Sequence, residues 1–133
     1  MGARIVYIED EAEMIDLVRI ILKRKSIEVI GALDGPTGLK TVAEQKPDLV
    51  LLDLMMPGMD GWDVYHQLKA NKETENIPVI IVTARALDID RILGLEIAKV
   101  NDYLSKPFTP QELINRIQKV LDTQLGVTSS SNE

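Results

Sequence analysis

Unbroken apolar runs set the strongest limit on how this chain folds. Residues 49–52 read Leu-Val-Leu-Leu and end at Asp53, and residues 77–82 form a second such run that ends at Thr83. A short run that is apolar throughout is typical of a strand covered on both faces, as in a parallel sheet. Asp53 therefore stands at the carboxyl end of its strand. By itself, this acid is either a ligand-binding group at that end or only a residue that opens a turn.

Strand-like and helix-like segments alternate along the rest of the chain. Beta-rich runs occupy residues 4–8, 27–33 and 102–106, and apolar residues recur at helical spacing between and after them. This alternation predicts an α/β fold with a doubly wound, five-stranded parallel sheet and helices on both faces. The apolar stripe expected for the first helix is Met14, Leu17, Val18, Ile21 and Leu22.

The last predicted helix carries the clearest start signal. Thr109-Pro110-Gln111-Glu112 has the capping-box pattern, with proline at the first helical position. The apolar residues that follow recur at helical spacing and predict one buried stripe. That stripe consists of Leu113, Ile114, Ile117, Val120 and Leu121.

Composition narrows the classes of function. The 133 residues are 45% hydrophobic, enough for one domain with its own core. With no cysteine and one histidine, disulfides, thiolate chemistry and a histidine-rich metal site are excluded. The net charge of −6 argues against nucleic-acid binding by this domain. No apolar stretch reaches the length of a membrane span and no signal-peptide layout opens the sequence, so we expect a cytoplasmic protein without a membrane partner.

The expected domain boundary lies near residue 123. Residues 1–123 hold all the predicted strands and helices, and no linker or internal repeat interrupts them. Residues 124–133 contain three serines and few apolar side chains, which is typical of a flexible polar tail.

The predicted strands end in polar residues that could act together in one site. Glu9 and Asp10 follow the first strand, Asp53 the third, Thr83 the fourth and Lys106 the fifth. In a parallel sheet these ends share one edge, where three carboxylates repel one another unless a cation neutralises them. All-oxygen ligands suit a hard ion such as Mg²⁺. A carboxylate nucleophile, a hard cation, a lysine and a hydroxyl are the parts needed for phosphoryl transfer to Asp53.

Four motifs give the sequence a close resemblance to the receiver domains of two-component response regulators. They are residues 8–11 (Ile-Glu-Asp-Glu), Asp53 with residues 56–61 (Met-Pro-Gly-Met-Asp-Gly), Thr83-Ala84, and residues 103–108 (Tyr-Leu-Ser-Lys-Pro-Phe). Each motif alone is weak, but their order and their positions at strand ends make the resemblance specific from residue 4 to about residue 122. It implies a flavodoxin-like fold with the strand order 2-1-3-4-5.

The resemblance implies a role for each site residue. Asp53 would accept a phosphoryl group from a phosphohistidine on a sensor histidine kinase or a phosphotransfer protein, so the chain would be a signalling module and not a turnover enzyme. Lys106 would bind a phosphoryl oxygen, and its bond to Pro107 is expected to be cis. The ligands of a Mg²⁺ ion would be Glu9, Asp10, Asp53 and the main-chain carbonyl of Met55.

The same resemblance implies a switch coupled to that site. Thr83 would move toward the phosphoryl group, and Tyr103 would turn inward into the space released. The output face would consist of the fourth predicted helix, the fifth strand and the fifth helix. Taken alone, Tyr103 is more readily explained as a half-buried strand aromatic.

Departures from the family pattern bear on how the site works. Glu9 stands where the family commonly has Asp, and its longer arm should still reach the ion through water. Met55 and Arg85 stand two residues beyond Asp53 and Thr83. Apolar bulk and a cationic arm there would hinder an attacking water, which predicts a long-lived phosphoryl group on Asp53.

The output face is most similar to that of receivers attached to winged-helix transcription factors. Arg91 would pair with Glu112, and Asp102 with Arg116, across the two-fold axis of a phosphorylation-dependent homodimer. Scattered surface charge explains these residues equally well, and Glu112 is also the capping-box acid. One extra residue, within residues 98–101, is expected to shift the end of the fourth helix and this face.

Two other functional classes fit the sequence less well. A haloacid-dehalogenase-like phosphohydrolase would place its nucleophile after the first strand, with a second Asp two residues later, whereas this chain reads Asp53-Leu54-Met55 after the third. A flavin-binding module on the same fold would need phosphate-binding donors where Glu9-Asp10-Glu11 would repel a phosphate. Stoichiometric acyl-phosphate formation with slow loss separates the receiver from the hydrolase, and a colourless protein argues against the flavin module.

Overall fold

The computed structural model of the chain describes residues 2–84 and 101–125, without the side chains of Met59, Gln124 and Leu125. The sequence predictions for Arg85, Arg91, the helix around residues 89–97 and the extra residue within 98–101 lie outside the described residues. Within the described ranges, none of the helices combines the length and the apolar character needed to cross a bilayer.

Between residues 4 and 83 the strands of the main sheet alternate with helices, as the sequence predicts. The strands are β1 (Arg4–Ile8), β2 (Glu28–Ala32), β3 (Leu49–Leu52), β4 (Met55–Met56), β5 (Met59–Asp60), β6 (Val79–Thr83) and β7 (Asp102–Ser105). The helices are α1 (Ala12–Lys23), α2 (Gly35–Gln45), α3 (Gly61–Ala70) and α4 (Pro110–Leu125). Helix α4 corresponds to the last helix of the sequence prediction.

Five of the strands form one parallel sheet in the order β2-β1-β3-β6-β7. Counted among these strands alone, this confirms the expected order 2-1-3-4-5. The register pairs Ile8 of β1 with Leu52 of β3, and Thr83 of β6 with Ser105 of β7. The carboxyl ends of these four strands thus lie side by side, at the edge where doubly wound sheets bind their ligands.

Two apolar clusters cover the two faces of the sheet. On one face α1 and α4 pack against the sheet, and Tyr7, Val18 and Ile117 are fully buried there. On the other face α2 and α3 do the same, with Val42 and Val64 fully buried. Every residue of β3 is buried, because both faces of this central strand are covered.

The apolar stripe predicted for the first helix is wrong at one position. Leu17 is 47% exposed, and Ile15 is buried instead. Ile15, Val18 and Leu22 follow the i, i+3, i+7 spacing and face the sheet, whereas Leu17 lies beside that line. Spacing alone does not distinguish a residue of the buried stripe from an exposed apolar residue beside it.

The ends of two elements also differ from the prediction. β2 ends at Ala32, and the side chain of Leu33 is 52% exposed beyond it. α4 extends to Leu125, two residues into the stretch expected to be a tail. The rest of that stretch, residues 126–133, lies outside the described residues, so the expected tail stays a prediction there.

A small antiparallel ribbon, β4 with β5, follows Asp53 and was not predicted. Pro57 and Gly58 are the central residues of its turn, and Gly58 has a φ of 74°. Proline followed by a residue at positive φ is the preferred chemistry of a tight turn, and glycine adopts this φ without strain. The sequence thus identifies the turn, while strands of two residues are too short to show a period.

The capping box predicted for the last helix is confirmed. The Thr109 N–H donates to Glu112 Oε1 at 2.8 Å, and the Glu112 N–H donates to Thr109 Oγ1 at 3.1 Å. The predicted stripe also faces the sheet. Leu113, Ile117 and Val120 are buried, and Ile114 and Leu121 pack against them at its margin.

Candidate functional site

Main-chain hydrogen bonds between neighbouring strands fix the positions of the site residues. The Asp53 N–H donates to the carbonyl of Ile8, the residue before Glu9, at 3.0 Å. The Lys106 N–H donates to the Thr83 carbonyl at 2.9 Å. The ends of β1, β3, β6 and β7 are thereby tied in pairs, which brings together side chains as far apart in sequence as Glu9 and Lys106.

Glu9, Asp10 and Asp53 form a compact acidic cluster. One carboxylate oxygen from each lies within 4.8 Å of the others. Glu9 and Asp53 are 0% and 3% exposed, whereas Asp10 is more open to solvent. Three carboxylates at this distance repel one another, and the repulsion is relieved by a cation. A donor set made of oxygen alone fits a hard ion such as Mg²⁺.

The surroundings of Asp53 disfavour its charged form. Burial raises the pKa of Asp53 to about 6, and the nearby Glu9 carboxylate acts in the same direction. The Met55 N–H, which donates to Asp53 Oδ1 at 3.0 Å, and the Lys106 ammonium act in the opposite direction. The negative charge of Asp53 is therefore balanced only in part by the groups around it.

Lys106 supplies positive charge to the acidic cluster. Its Nζ lies 2.6 Å from Glu9 Oε1 and 3.4 Å from Asp53 Oδ2. Burial by itself lowers the pKa of Lys106, but the hydrogen bond that its ammonium donates to Glu9 and the charge of Asp53 outweigh burial and raise it. The lysine therefore stays charged. The peptide bond between Lys106 and Pro107 is cis, as expected.

Tyr7 belongs to the site, although the sequence analysis did not single it out. Its hydroxyl donates to Glu9 Oε1 at 2.9 Å, and its side chain is fully buried. Burial, followed by the Glu9 charge, raises the pKa of Tyr7, so the hydroxyl keeps its proton and remains a donor. A signal for this contact exists in the sequence, because side chains two residues apart on a strand leave it on the same face.

Thr83 and Tyr103 lie on neighbouring strands close to the site. Thr83 is fully buried at the carboxyl end of β6. Tyr103, on β7, is half-buried and packs against the cluster on the α3 side of the sheet. The register places Tyr103 opposite Ile81, two positions before Thr83. The structure therefore places the two residues of the expected switch close together.

A cavity of about 300 Å³ opens beside Asp53. Its walls include Asp10, Met55 and Lys106, so it is bordered by negative, apolar and positive groups. Met55 is 54% exposed and stands at the rim of this cavity. The volume has room for several groups the size of a water molecule.

Of the residues expected at a dimer face, Asp102 and Arg116 contact each other within the chain. Arg116 Nη1 lies 2.7 Å from Asp102 Oδ1. Glu112 uses its Oε1 in the capping box of α4, and Arg91 falls in the part of the chain that is not described. The pair expected across a two-fold axis is therefore formed here inside one molecule.

Known proteins resemble this chain in sequence over most of its length. Residues 5–118 match the family model of the response regulator receiver domain. The chain is 42% identical over 117 residues to the sensory transduction protein RegX3 of Mycobacterium tuberculosis, which covers 88% of this chain and 50% of RegX3. RegX3 of Mycolicibacterium smegmatis matches with the same identity and coverage. The chain thus spans about half the length of these relatives.

Solved structures resemble it in fold as well. The receiver domain of the sensor histidine kinase PA1611 from Pseudomonas aeruginosa, with a magnesium ion coordinated in its active-site cleft, has a TM-score of 0.78 and 29% identity, covering 95% of this chain and 99% of that chain. A CheY-like response regulator receiver domain protein from Methanospirillum hungatei has a TM-score of 0.81 and 28% identity, covering 94% and 98%.

Proposed function

Because the chain belongs to the response regulator receiver domain family, which serves two-component signal transduction, we propose that Asp53 is the residue that accepts the phosphoryl group. One observation carries this proposal. Glu9, Asp10 and Asp53 meet within 4.8 Å of one another, and Lys106 Nζ lies within 3.4 Å of Asp53. The combination supplies a nucleophile, a set of metal ligands and a fixed positive charge in one place.

The donor in this proposal is a phosphohistidine on a sensor histidine kinase or a phosphotransfer protein. Asp53 Oδ2, the oxygen that faces Lys106, attacks the phosphorus atom while the phosphorus–nitrogen bond breaks. The electron pair of that bond returns to the imidazole of the donor. The product is an acyl phosphate on Asp53, formed once per molecule, so the chain acts as a signalling module and not as a turnover enzyme.

Lys106 and Thr83 would hold the transferred group. Lys106 Nζ is already 3.4 Å from Asp53 Oδ2, so a small movement away from Glu9 brings it to a phosphoryl oxygen. The compact charge of a lysine ammonium suits this role. Thr83, at the neighbouring strand end, would donate its hydroxyl to a second phosphoryl oxygen, and Tyr103 would follow the movement of Thr83.

We assign four oxygen ligands to a Mg²⁺ ion at this site. The donor set fits a hard ion because it contains only carboxylate and carbonyl oxygens. Bound Mg²⁺ would offset the negative charge that the carboxylates and the phosphoryl group bring together. The magnesium ion in the PA1611 receiver domain supports the assignment. The proposed ligands are Glu9, Asp10, Asp53 and the main-chain carbonyl of Met55.

The proposal extends to the output of the module. Phosphorylation would favour a homodimer through the face that carries Asp102 and Arg116. The domain would act in the cytoplasm and would itself bind neither nucleic acid nor a membrane. Because Asp102 and Arg116 already pair within the chain, a contact across the axis requires that this pair be opened or shared. Mass measurement with bound beryllofluoride, a phosphoryl mimic, should give a dimer, and a monomer would contradict this part.

Phosphorylation by a small acyl-phosphate donor tests the central proposal. With Mg²⁺, the wild-type chain should gain one phosphoryl group that hydroxylamine removes, as expected of an acyl phosphate. Asp53→Asn should gain none, while Asp60→Asn, which retains an N-cap side chain for α3, should be labelled like the wild type. Labelling that survives Asp53→Asn contradicts the proposal. Steady donor consumption without accumulated acyl phosphate would favour a phosphohydrolase.

A further inference from the structure

We infer that Tyr7 is a positioning residue of this site: its hydroxyl, together with Lys106, occupies one oxygen of Glu9 and leaves the other oxygen for the metal ion. The inference rests on the metal site proposed above. It assigns a function to a buried tyrosine that does not itself contact the phosphoryl group.

The donors around Glu9 divide unequally between its two oxygens. Oε1 accepts from the Tyr7 hydroxyl at 2.9 Å and from Lys106 Nζ at 2.6 Å. Oε2 accepts a longer bond, 3.2 Å, from the Glu11 N–H. A carboxylate has about two lone-pair directions on each oxygen. Two donors therefore use both directions on Oε1, whereas the bond from Glu11 leaves one direction on Oε2 for a cation.

The strand β1 makes Tyr7 a fixed donor. Tyr7 and Glu9 are two residues apart, so their side chains leave the backbone on the same face of the sheet. The Tyr7 ring is fully buried in the cluster between the sheet and the helices α1 and α4. Close packing on all sides prevents the ring from swinging away. The Tyr7 hydroxyl is thus held within hydrogen-bond distance of the Glu9 carboxylate, and its position does not depend on solvent.

The length of the acidic side chain is part of the same arrangement. An aspartate at position 9 would be shorter by one C–C bond, about 1.5 Å, and would draw its carboxylate away from the Tyr7 hydroxyl. The terminal torsion of a glutamate is broad. Without Tyr7, the Glu9 carboxylate can tilt away from this orientation, because Lys106 is then the only donor left on Oε1 among the described contacts. Tyr7 and Glu9 therefore act as a matched pair.

A double-mutant cycle of Tyr7→Phe and Glu9→Asp tests the inference on the full chain. Mg²⁺ binding is followed by the NMR shifts of the main-chain amides of Asp10 and Asp53. With Glu9 present, Tyr7→Phe should weaken Mg²⁺ binding about tenfold, the lower end of the range for a lost hydrogen bond to a metal ligand. In the Glu9→Asp background the same change should cost less than about twofold. Tyr65→Phe, a buried tyrosine on the other face of the sheet, is the control and should leave binding unchanged.

The possible results separate this inference from the metal site on which it rests. Wild-type protein that binds no Mg²⁺ overturns both. Wild-type protein that binds Mg²⁺, with unchanged affinity in Tyr7→Phe, overturns the role of Tyr7 alone. An equal loss in both backgrounds also overturns it, because Tyr7 would then act through packing and not through Glu9.

A second measurement covers the case in which Tyr7→Phe does not fold. A ring-fluorinated tyrosine at position 7 keeps the hydroxyl donor, so the chain should fold. Its fluorine NMR signal should move when Mg²⁺ is added, because the hydrogen bond to Glu9 changes. The same label at position 65 should not respond. A signal at position 7 that stays still under saturating Mg²⁺ overturns the inference.

Discussion

Lys106 Nζ lies 2.6 Å from Glu9 Oε1 and 3.4 Å from Asp53 Oδ2, so the lysine makes its shorter contact with the acid that is not the proposed phospho-acceptor. Both carboxylates are buried, and the ammonium between them reduces their mutual repulsion. A phosphoryl group on Asp53 would add negative charge next to the longer of the two contacts. The position of Lys106 is thus suited to stabilise the cluster first and to bind the phosphoryl group afterwards.

Removal of this lysine should destabilise the protein in the absence of Mg²⁺. Lys106→Met leaves Glu9 and Asp53 buried without their positive partner, which should lower the free energy of unfolding by about 3 kcal/mol. Added Mg²⁺ should restore part of the loss, because the ion supplies the missing positive charge. Urea unfolding with and without a chelator measures both effects. Lys119→Met, at an exposed lysine of α4, should change stability by less than about 0.5 kcal/mol.

The outcome that would contradict this prediction is equal stability of Lys106→Met and wild type in the chelator. In that case the ion pair with Glu9 would be offset by the cost of burying the lysine, and Lys106 would contribute to phosphoryl binding alone.

Asp53 should make the fold less stable as the pH rises. Its pKa is raised from an ordinary value of 3.8 to about 6 in the folded protein, so the folded state binds this proton more tightly than the unfolded state. The resulting stabilisation is complete below the unfolded value and is lost as the pH rises through the folded value. At pH 7 without Mg²⁺, Asp53→Asn should therefore exceed the wild type in stability, by up to about 3 kcal/mol.

Urea unfolding in chelator at two pH values measures this difference. The advantage of Asp53→Asn should shrink toward zero near pH 4, where Asp53 is largely protonated in the folded state. Asp60→Asn carries the same chemical change outside the cluster and should show no such trend. A wild type more stable than Asp53→Asn at pH 7 would mean that Lys106 more than offsets the burial of the charge.

The sequence is sufficient to predict the fold and the acidic cluster of Glu9, Asp10 and Asp53, and the reason is physical. A run as short as residues 49–52 buries all its side chains when it forms a central strand covered on both faces. Parallel strands then place their carboxyl ends at one edge, which brings Glu9, Asp10 and Asp53 together. The capping box is equally local, since Thr109 and Glu112 need only each other.

Sequence reasoning missed contacts in which a basic side chain has more than one acidic partner to choose from. Lys106 was expected to bind a phosphoryl oxygen at Asp53, yet its shorter contact is with Glu9, at 2.6 Å against 3.4 Å for Asp53. Arg116 was expected to reach a second molecule, but Asp102 on the neighbouring strand is already within 2.7 Å. Spacing along the chain identifies residues on one face or edge, and only the packed structure determines which of them touch.

The capping box of α4 should contribute measurably to stability. Thr109→Ala removes the hydroxyl that accepts from the Glu112 N–H, which should cost about 1 kcal/mol in the free energy of unfolding. Thr123→Ala is a matched control on the same helix, because its hydroxyl donates back to the Lys119 carbonyl within the helix and caps no helix end. Urea unfolding of both variants gives the comparison. An equal change in the free energy of unfolding at the two threonines would show that the capping box does not stabilise the protein.

Met55 should prolong the life of the phosphoryl group on Asp53. Its side chain stands at the rim of the cavity beside Asp53, 54% exposed, and a thioether is a poor hydrogen-bond partner for an attacking water. Met55→Asn places an amide there that can hold such a water, so the acyl phosphate should be lost faster once the donor is removed. Met55→Leu preserves the apolar bulk and should leave the rate of loss unchanged. If leucine accelerates the loss as much as asparagine does, polarity at this position is not what controls access of water to the phosphoryl group.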